Sequence, residues 1–368
     1  MSKDDAHRKH GDLYFDRDRA VARMVLNRPQ SLNALNDSMR STIASTLPGL
    51  ARDPDLYAVV LQSGSPRAFC SGGDVKELTA LGSADPAAAR QSLADEYRLD
   101  WLFDCFSKPT IAFMDGAIMG SGAGLVQFCT HRVAGTNYAF AMPETGIGFF
   151  PDVGMGYSLS RMPDQIGIYL GLTGRQLGRA DALALGLVTH CIDGHLYEEI
   201  VTALADAQPI DPLLDARHID PGAPTLEKTR ALIADVFAPQ TIEEIFAKLD
   251  RMAAGRGHDA QWAHSVKDEL ASRSPTSLKV SLRHLRLCAR LDLRETLMQD
   301  YRVGCELLQG DDLYEGVRAV LIERKGSINW RPSTLAEVTD AAVAAHFCLP
   351  ASGGLELPTR DEMQAARI

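Results

Sequence analysis

Two acids stand eight residues apart in FAMPETGIGFFPDVGMGY, residues 140–157: Glu144 and Asp152. Their neighbours are almost all apolar residues or glycine. A carboxylate in such company is partly desolvated, so its pKa is expected to rise. That suits a general base or a poised nucleophile. A plainer role fits the same residues, since either acid could cap a turn or pair with Arg132 or Arg161. Two glycine-rich stretches add a second kind of chemistry: FCSGGDVKEL, with Gly72 and Gly73, and AIMGSGAGLVQFC, with Gly120, Gly122 and Gly124. Glycines where a strand enters a helix free backbone N–H groups to point at a ligand oxygen. Two such turns could each present one N–H to a shared oxygen, as acyl chemistry requires. Tight packing of helix on strand would also explain them.

Other site types are poorly represented. GSGAGL, residues 120–125, has Leu125 where a dinucleotide fingerprint needs its third glycine. There is no phosphate-binding G-x-x-x-x-G-K-[ST], no G-x-S-x-G nucleophile elbow and no H-E-x-x-H. Cys129 and His131 are only a weak cue for a metal, and none is expected.

These residues must be held by strands and helices in alternation. VARMVLNRP reads as a strand ending at Pro29. The helix after it carries Leu35, Met39, Ile43 and Leu47 at helical spacing, with Asn36 or Asp37 as N-cap. YAVVLQSGSP and KPTIAFMDG read as buried strands, each followed by one of the glycine turns and a helix. A further helix is expected from Asp95 to Phe106, and HRVAGTNYAFAMPE reads as two short strands. The unit of strand, glycine turn and helix occurs at 57–78 and again at 110–129, which predicts an α/β fold. From about residue 155 the pattern turns helical. Residues 208–224, rich in Pro and Asp, read as a linker or surface excursion. Beyond them the spacing predicts mostly helices, one more amphipathic segment near 336–347, and a loosely held tail over 348–368.

The chain has 368 residues, a net charge of −10 and 45% hydrophobic residues. The negative balance argues against nucleic acid as a partner. No stretch approaches the 18 apolar residues of a membrane span. Seven scattered cysteines without a C-x-x-C suggest a reduced interior. With no apolar run near the start, the expected location is cytoplasmic.

LNRPQSLNAL, AFCSGGDVKEL, KPTIAFMDGAIMGSGAGL and FAMPETGIGFFPDVG occur in this order, and together they resemble the crotonase, or enoyl-CoA hydratase/isomerase, superfamily. The resemblance covers about residues 12–347. MPETGIGFFPDVG and the run from SPTSLKVSLRHL to NWRP are similar to a branch that hydrolyses 3-hydroxyisobutyryl-CoA in valine breakdown.

The resemblance implies a ClpP-like spiral of strand-strand-helix repeats over residues 1–206, holding the acyl-CoA site, and a helical region over 207–347. It implies backbone N–H donors at Gly73 and Ser121, a carboxylate base or nucleophile at Glu144, and substrate contacts from Glu96 and Asp152. Lys76 and Arg67 are the expected contacts to CoA, which is part of the substrate, so no separate cofactor is implied. Members of the superfamily commonly form trimers or hexamers through their C-terminal helices, and the long C-terminal region here could instead fold back over its own active site.

Two residues depart from the hydrolase pattern. Ser121 replaces a glycine, and Met155 stands where glycine is usual and could narrow the acyl pocket. Hydratases of the superfamily use two glutamates, the first of which falls on Gly124, so water addition would lack half its machinery. The alternatives are an enoyl-CoA hydratase/isomerase or a non-catalytic acyl-CoA binder.

Overall fold

Two parallel-rich sheets, stacked through a repeating connection, carry the first half of the chain. The computed structural model describes residues 11–324 and 327–368. The start of the chain, residues 1–10, on which the expected location partly rested, lies outside the described residues. The larger sheet has the order β1-β2-β3-β5-β7-β9: β1 Leu13–Asp18, β2 Val21–Leu26, β3 Ala58–Ser63, β5 Thr110–Met114, β7 His131–Ala134 and β9 His190–Cys191. Only the β1/β2 hairpin is antiparallel. The smaller sheet is parallel, β4 Ala68–Cys70, β6 Ala117–Met119 and β8 Ala139–Ala141. Each turn of the chain thus lays one strand in each sheet: β3 then β4, β5 then β6, β7 then β8. This is the expected strand-strand-helix spiral.

Near-continuous apolar runs in β3 and β5 send buried side chains to both faces of the larger sheet. Ala58 and Val60 of β3, with Ile111 and Phe113 of β5, face a layer containing Ile200, Leu204, Leu213 and Leu214. Val59, Leu61, Ala112 and Met114 point the other way, into the main core. The 208–224 segment is therefore not simply a linker. Its helix Ile210–Asp215 supplies Leu213 and Leu214 to the outer layer.

Four helices position the site. Helix α1, Asp37–Arg52, is capped by Asn36, whose side chain accepts the Met39 N–H at 2.9 Å. Helix α2, Val75–Ala84, follows the first glycine turn. Helix α3, Pro86–Cys105, begins nine residues before the predicted Asp95. Asp85 caps it by accepting from Ala87 and Ala88, and Pro86 fits the first turn, where no N–H is needed. Helix α4, Ser121–Gln127, follows the second glycine turn.

The C-terminal helices do not form a separate core. Leu278, Leu285, Leu297 and Val303 belong to the same apolar cluster as Met24, Leu61 and Leu125. The tail, expected to be loose, is docked. Leu355, Leu357 and Ile368 are buried, the Trp101 indole N–H donates to the Pro358 carbonyl at 2.9 Å, and Arg294 Nε donates to the Leu357 carbonyl at 3.0 Å. A short apolar segment of this kind carries no periodicity, so its burial is set by the groove that receives it.

Candidate active site

Gly72 has φ +113° and Gly120 φ +46°, conformations that L side chains rarely adopt. These two turns lie against each other, and a Cβ on Gly72 would be 3.4 Å from the Met119 carbonyl oxygen. The residue after each turn is thereby aimed at one place. A Cβ on Gly73 would stand 2.8 Å from Ser121 Oγ, so the two residues are neighbours across the turns. Among the described residues no acceptor takes the N–H of Gly73 or that of Ser121. The latter is the first residue of α4 and so is one of the helix's unsatisfied donors. Ser121 has no positive φ, and its hydroxyl fits because position 73 is glycine.

A cavity of about 600 Å³ opens at this point. Its wall includes Gly73, Ser121, Glu96, Glu144 and Asp152. Lys76, exposed at the start of α2, also lines it. Arg67 does not. It is exposed and donates to the Pro29 carbonyl at 3.0 Å, so one of the two expected CoA contacts lies off the wall. Met155 is likewise absent from the wall. It is fully buried in the main core, so it does not narrow the pocket.

Glu144 opens a short 3-10 turn, Glu144–Ile147, just after β8. It is only 6% exposed, and its Oε2 has no hydrogen-bond partner among the described residues. A Cβ on Gly120 would come within 2.9 Å of the other oxygen, Oε1, which sets the carboxyl directly against the second glycine turn. Burial pushes its pKa up to about 8. Asp152, also 6% exposed, accepts the Tyr97 hydroxyl at 2.8 Å. Burial raises its pKa well above the usual range, and the charges of Glu96, Glu144 and Asp300 add to that. Neither Arg132 nor Arg161 reaches these acids. Arg132 is spent on backbone carbonyls, including Leu187 and Cys129, and Arg161 lies over the Tyr157 ring with its guanidinium carbon 3.7 Å from the centroid.

Glu96 projects from α3. Its Oε2 lies 3.5 Å from Arg40 Nη1 of α1, and its Oε1 has no hydrogen-bond partner among the described residues. Arg40 is itself buried, held by Asp37, by Ser92 Oγ at 2.9 Å and by the Leu35 carbonyl at 3.2 Å. Burial alone would lower the Arg40 pKa, but Glu96 and Asp37 raise it, so a charged Arg40 faces the site. Glu96 Oε1, Arg40 Nη1 and Ser121 Oγ all lie within 4 Å of where a Gly73 Cβ would be.

Sequence reading missed Arg40 and Arg273, both on the cavity wall, and Tyr97 behind Asp152. Arg40 had one local signal, its i, i+3 spacing from Asp37 on α1. Arg273 had none, because it arrives from the C-terminal region. The wall is closed on the same side by Val320, Leu321, Arg324 and Ile328. The weak metal cue dissolves: Cys129 is buried, the His131 ring meets Asp211 at 2.9 Å, and no metal-holding cluster exists among the described residues.

Gly124 is buried on α4, and a Cβ there would meet the Val153 Cβ at 2.6 Å. No side chain can grow from that position into the cavity without displacing the Asp152–Gly154 turn. The arrangement therefore offers two free amides, an unpartnered carboxylate beside them, and two further acids on the same wall. It can polarise a carbonyl and place one carboxylate against its carbon.

A two-sheet spiral with paired amides beside a buried acid is an α/β site of the class that can take a carbonyl oxygen. A family model described as enoyl-CoA hydratase/isomerase matches residues 21–347, and the chain belongs to that family. Its relatives include the protein named 3-hydroxyisobutyryl-CoA hydrolase, mitochondrial, of Xenopus tropicalis, 34% identical over 95% of this chain and 92% of that one. The Danio rerio protein of the same name is 34% identical over 91% and 89%. A crystal structure described as a carnitinyl-CoA dehydratase from Mycobacterium thermoresistibile is 37% identical, covers 94% of this chain and 98% of its own, and superposes with a TM-score of 0.87.

The mitochondrial naming of the frog and fish proteins overturns the cytoplasmic expectation. That expectation rested on the lack of an apolar run near the start and on seven scattered cysteines, and neither distinguishes one reducing compartment from another.

Proposed function

We propose that this chain hydrolyses the thioester of 3-hydroxyisobutyryl-CoA, or of a similar short 3-hydroxyacyl-CoA, as a step in valine breakdown. The observation that carries the reading is Glu144. Its buried carboxyl has a free oxygen beside the two amides, while Gly124 leaves no room for the second acid that hydration uses. In this reading the thioester oxygen accepts the N–H groups of Gly73 and Ser121. Each donor is worth on the order of 3 kcal/mol as charge develops on that oxygen.

Glu144 then acts as carboxylate on the carbonyl carbon, directly or through a water. The C–S bond breaks, the CoA sulfur leaves and is protonated, and the elements of water end on the acid product. Asp152 and the free Oε1 of Glu96 orient the substrate hydroxyl. Burial and the surrounding negative charges raise the Asp152 pKa, which favours the protonated form that can donate as well as accept. Lys76, and not Arg67, is assigned to the CoA phosphates. No separate cofactor enters the scheme.

A second reading, water addition to or removal from an acyl-CoA, is favoured by the dehydratase description of the Mycobacterium structure. One experiment separates them: free thiol released from a panel of acyl-CoAs, alongside hydration of crotonyl-CoA. Thiol release from 3-hydroxyisobutyryl-CoA is expected. Fast hydration with no thiol release would overturn the hydrolase reading.

A further inference from the structure

Behind Asp152, away from the cavity, lies a histidine–aspartate pair with no solvent contact; burial would lower the His284 pKa, but the Cys288 sulfur, 3.4 Å from Nε2, and Asp300 raise it to about 10, so the pair is ionic. His284, on the helix Pro275–Cys288, and Asp300, on the helix Leu293–Leu307, are both 0% exposed, with Nε2 2.9 Å from Oδ1. The other oxygen of Asp300 accepts the Gly154 backbone N–H at 2.8 Å. The imidazole stands edge-on to the Phe150 ring at 5.0 Å between centroids and 86°. A Cβ on Gly156 would be 2.8 Å from His284 Nε2. The pair therefore grips the chain on both sides of Asp152, at residue 150 and at residues 154–156. Between these grips Val153 has φ +52°. A β-branched residue in the left-handed region is an outlier that persists only where its surroundings over-determine it.

We propose that His284 and Asp300 are positioning residues that hold the Val153–Gly154 turn and so aim the Asp152 carboxyl into the cavity. Neither lines the cavity, so they act through Asp152 rather than on substrate. A buried charge pair is a weak source of stability, since packed apolar residues of the same volume often do as well. A charged acceptor does, however, hold a backbone N–H more firmly and directionally than a neutral one. The Gly154 amide has no other acceptor among the described residues. The inference rests on the reading that Asp152 acts on the substrate.

The charged and titratable groups around Asp152 and the pair behind it are Glu96, Tyr97 and Asp100 from α3, Glu144 from the turn after β8, and Asp300, His284 and Cys288 from the C-terminal helices. The test uses D300N and H284Q in the full chain, with D152N as reference. It measures kcat, KM and the pH–rate profile for thiol release, and thermal melting. Both variants should lose about 10- to 100-fold in kcat, the scale of a small misplacement of a reacting group, with KM little changed. The pH limb belonging to Asp152 should move down in D300N, where a negative neighbour is lost, and up in H284Q, where a positive one is lost. Opposite displacements are not produced by a loosened scaffold.

An unmoved limb in both variants, with kcat falling only as far as the melting temperature does, overturns the proposal. If D300N does not fold, H284Q decides: an upward limb supports the proposal and an unmoved one overturns it. D152N inactive beside D300N and H284Q of normal turnover overturns this inference alone. D152N of normal turnover overturns it together with the role given to Asp152.

Discussion

Glu144→Gln exchanges one carboxyl oxygen for an amide nitrogen at a site that is 6% exposed, and it removes a titration without removing bulk. Burial holds the Glu144 pKa at about 8 in the folded chain, against about 4.3 in an unfolded one. The folded state therefore binds the extra proton throughout that window. Stability contributed by the protonated acid is present below the unfolded value and is lost as pH rises towards the folded one. At about 1.4 kcal/mol per unit, ionising this buried group costs the free enzyme on the order of 5 kcal/mol by pH 8.

E144Q never ionises. Its melting curve should coincide with that of the wild type near pH 4.5 and separate from it steadily above. At about 2 °C per kcal/mol for a chain of this size, the variant should melt roughly 10 °C higher at pH 8. Turnover in the thiol-release assay should meanwhile fall by at least about 100-fold, the contribution of a positioned base. Melting by circular dichroism at half-unit pH steps reads the first effect. Parallel melting curves from pH 4.5 to 8 would show that Glu144 is not desolvated in solution, and the argument for a poised carboxylate would go with them.

Other substitutions probe the remaining parts of the site. Gly120→Ala forces a side chain onto φ +46° and within 2.9 Å of Glu144 Oε1. It should fold with a lowered melting temperature and lose about 100- to 1,000-fold in kcat, the effect of removing one oxyanion donor. Gly124→Glu tests whether the hydratase acid can be restored. With the Val153 Cβ 2.6 Å from the new Cβ, it should be destabilised by about 1–3 kcal/mol in urea unfolding and gain no hydration of crotonyl-CoA. Arg40→Met leaves Glu96 buried without its cation. It should cost roughly 3–5 kcal/mol in urea unfolding, and wild-type stability in that variant would mean that the 3.5 Å Arg40–Glu96 pair contributes nothing.

Local sequence was enough for whatever depends on neighbours along the chain. The cap at Asn36 or Asp37, the apolar runs of β3 and β5, and the glycine turns at 72–73 and 120 are each signalled by a few adjacent residues, because capping, pleating and positive φ are short-range requirements. The start of α3 was less legible, since Asp85 and Pro86 announce a helix whose first turns carry an alanine run with little amphipathic signal. Glu144 and Asp152 could be singled out by their apolar company, but not freed from the competing idea of an arginine partner. That required knowing that Arg132 and Arg161 spend their donors elsewhere.

Tertiary structure alone decided what meets across long separations. It brought Arg40 to Glu96, Tyr97 to Asp152, and Arg273 from the C-terminal region onto the cavity wall. It excluded Arg67 and Met155 from that wall, docked the tail on Trp101, and set Asp300 under Gly154, 146 residues away. The physical reason is the range of the forces. Backbone conformation is settled within a turn or two, whereas desolvation and the sign of the local field depend on every group packed nearby. A residue such as Glu144 therefore acquires its chemistry only when the spiral closes around it.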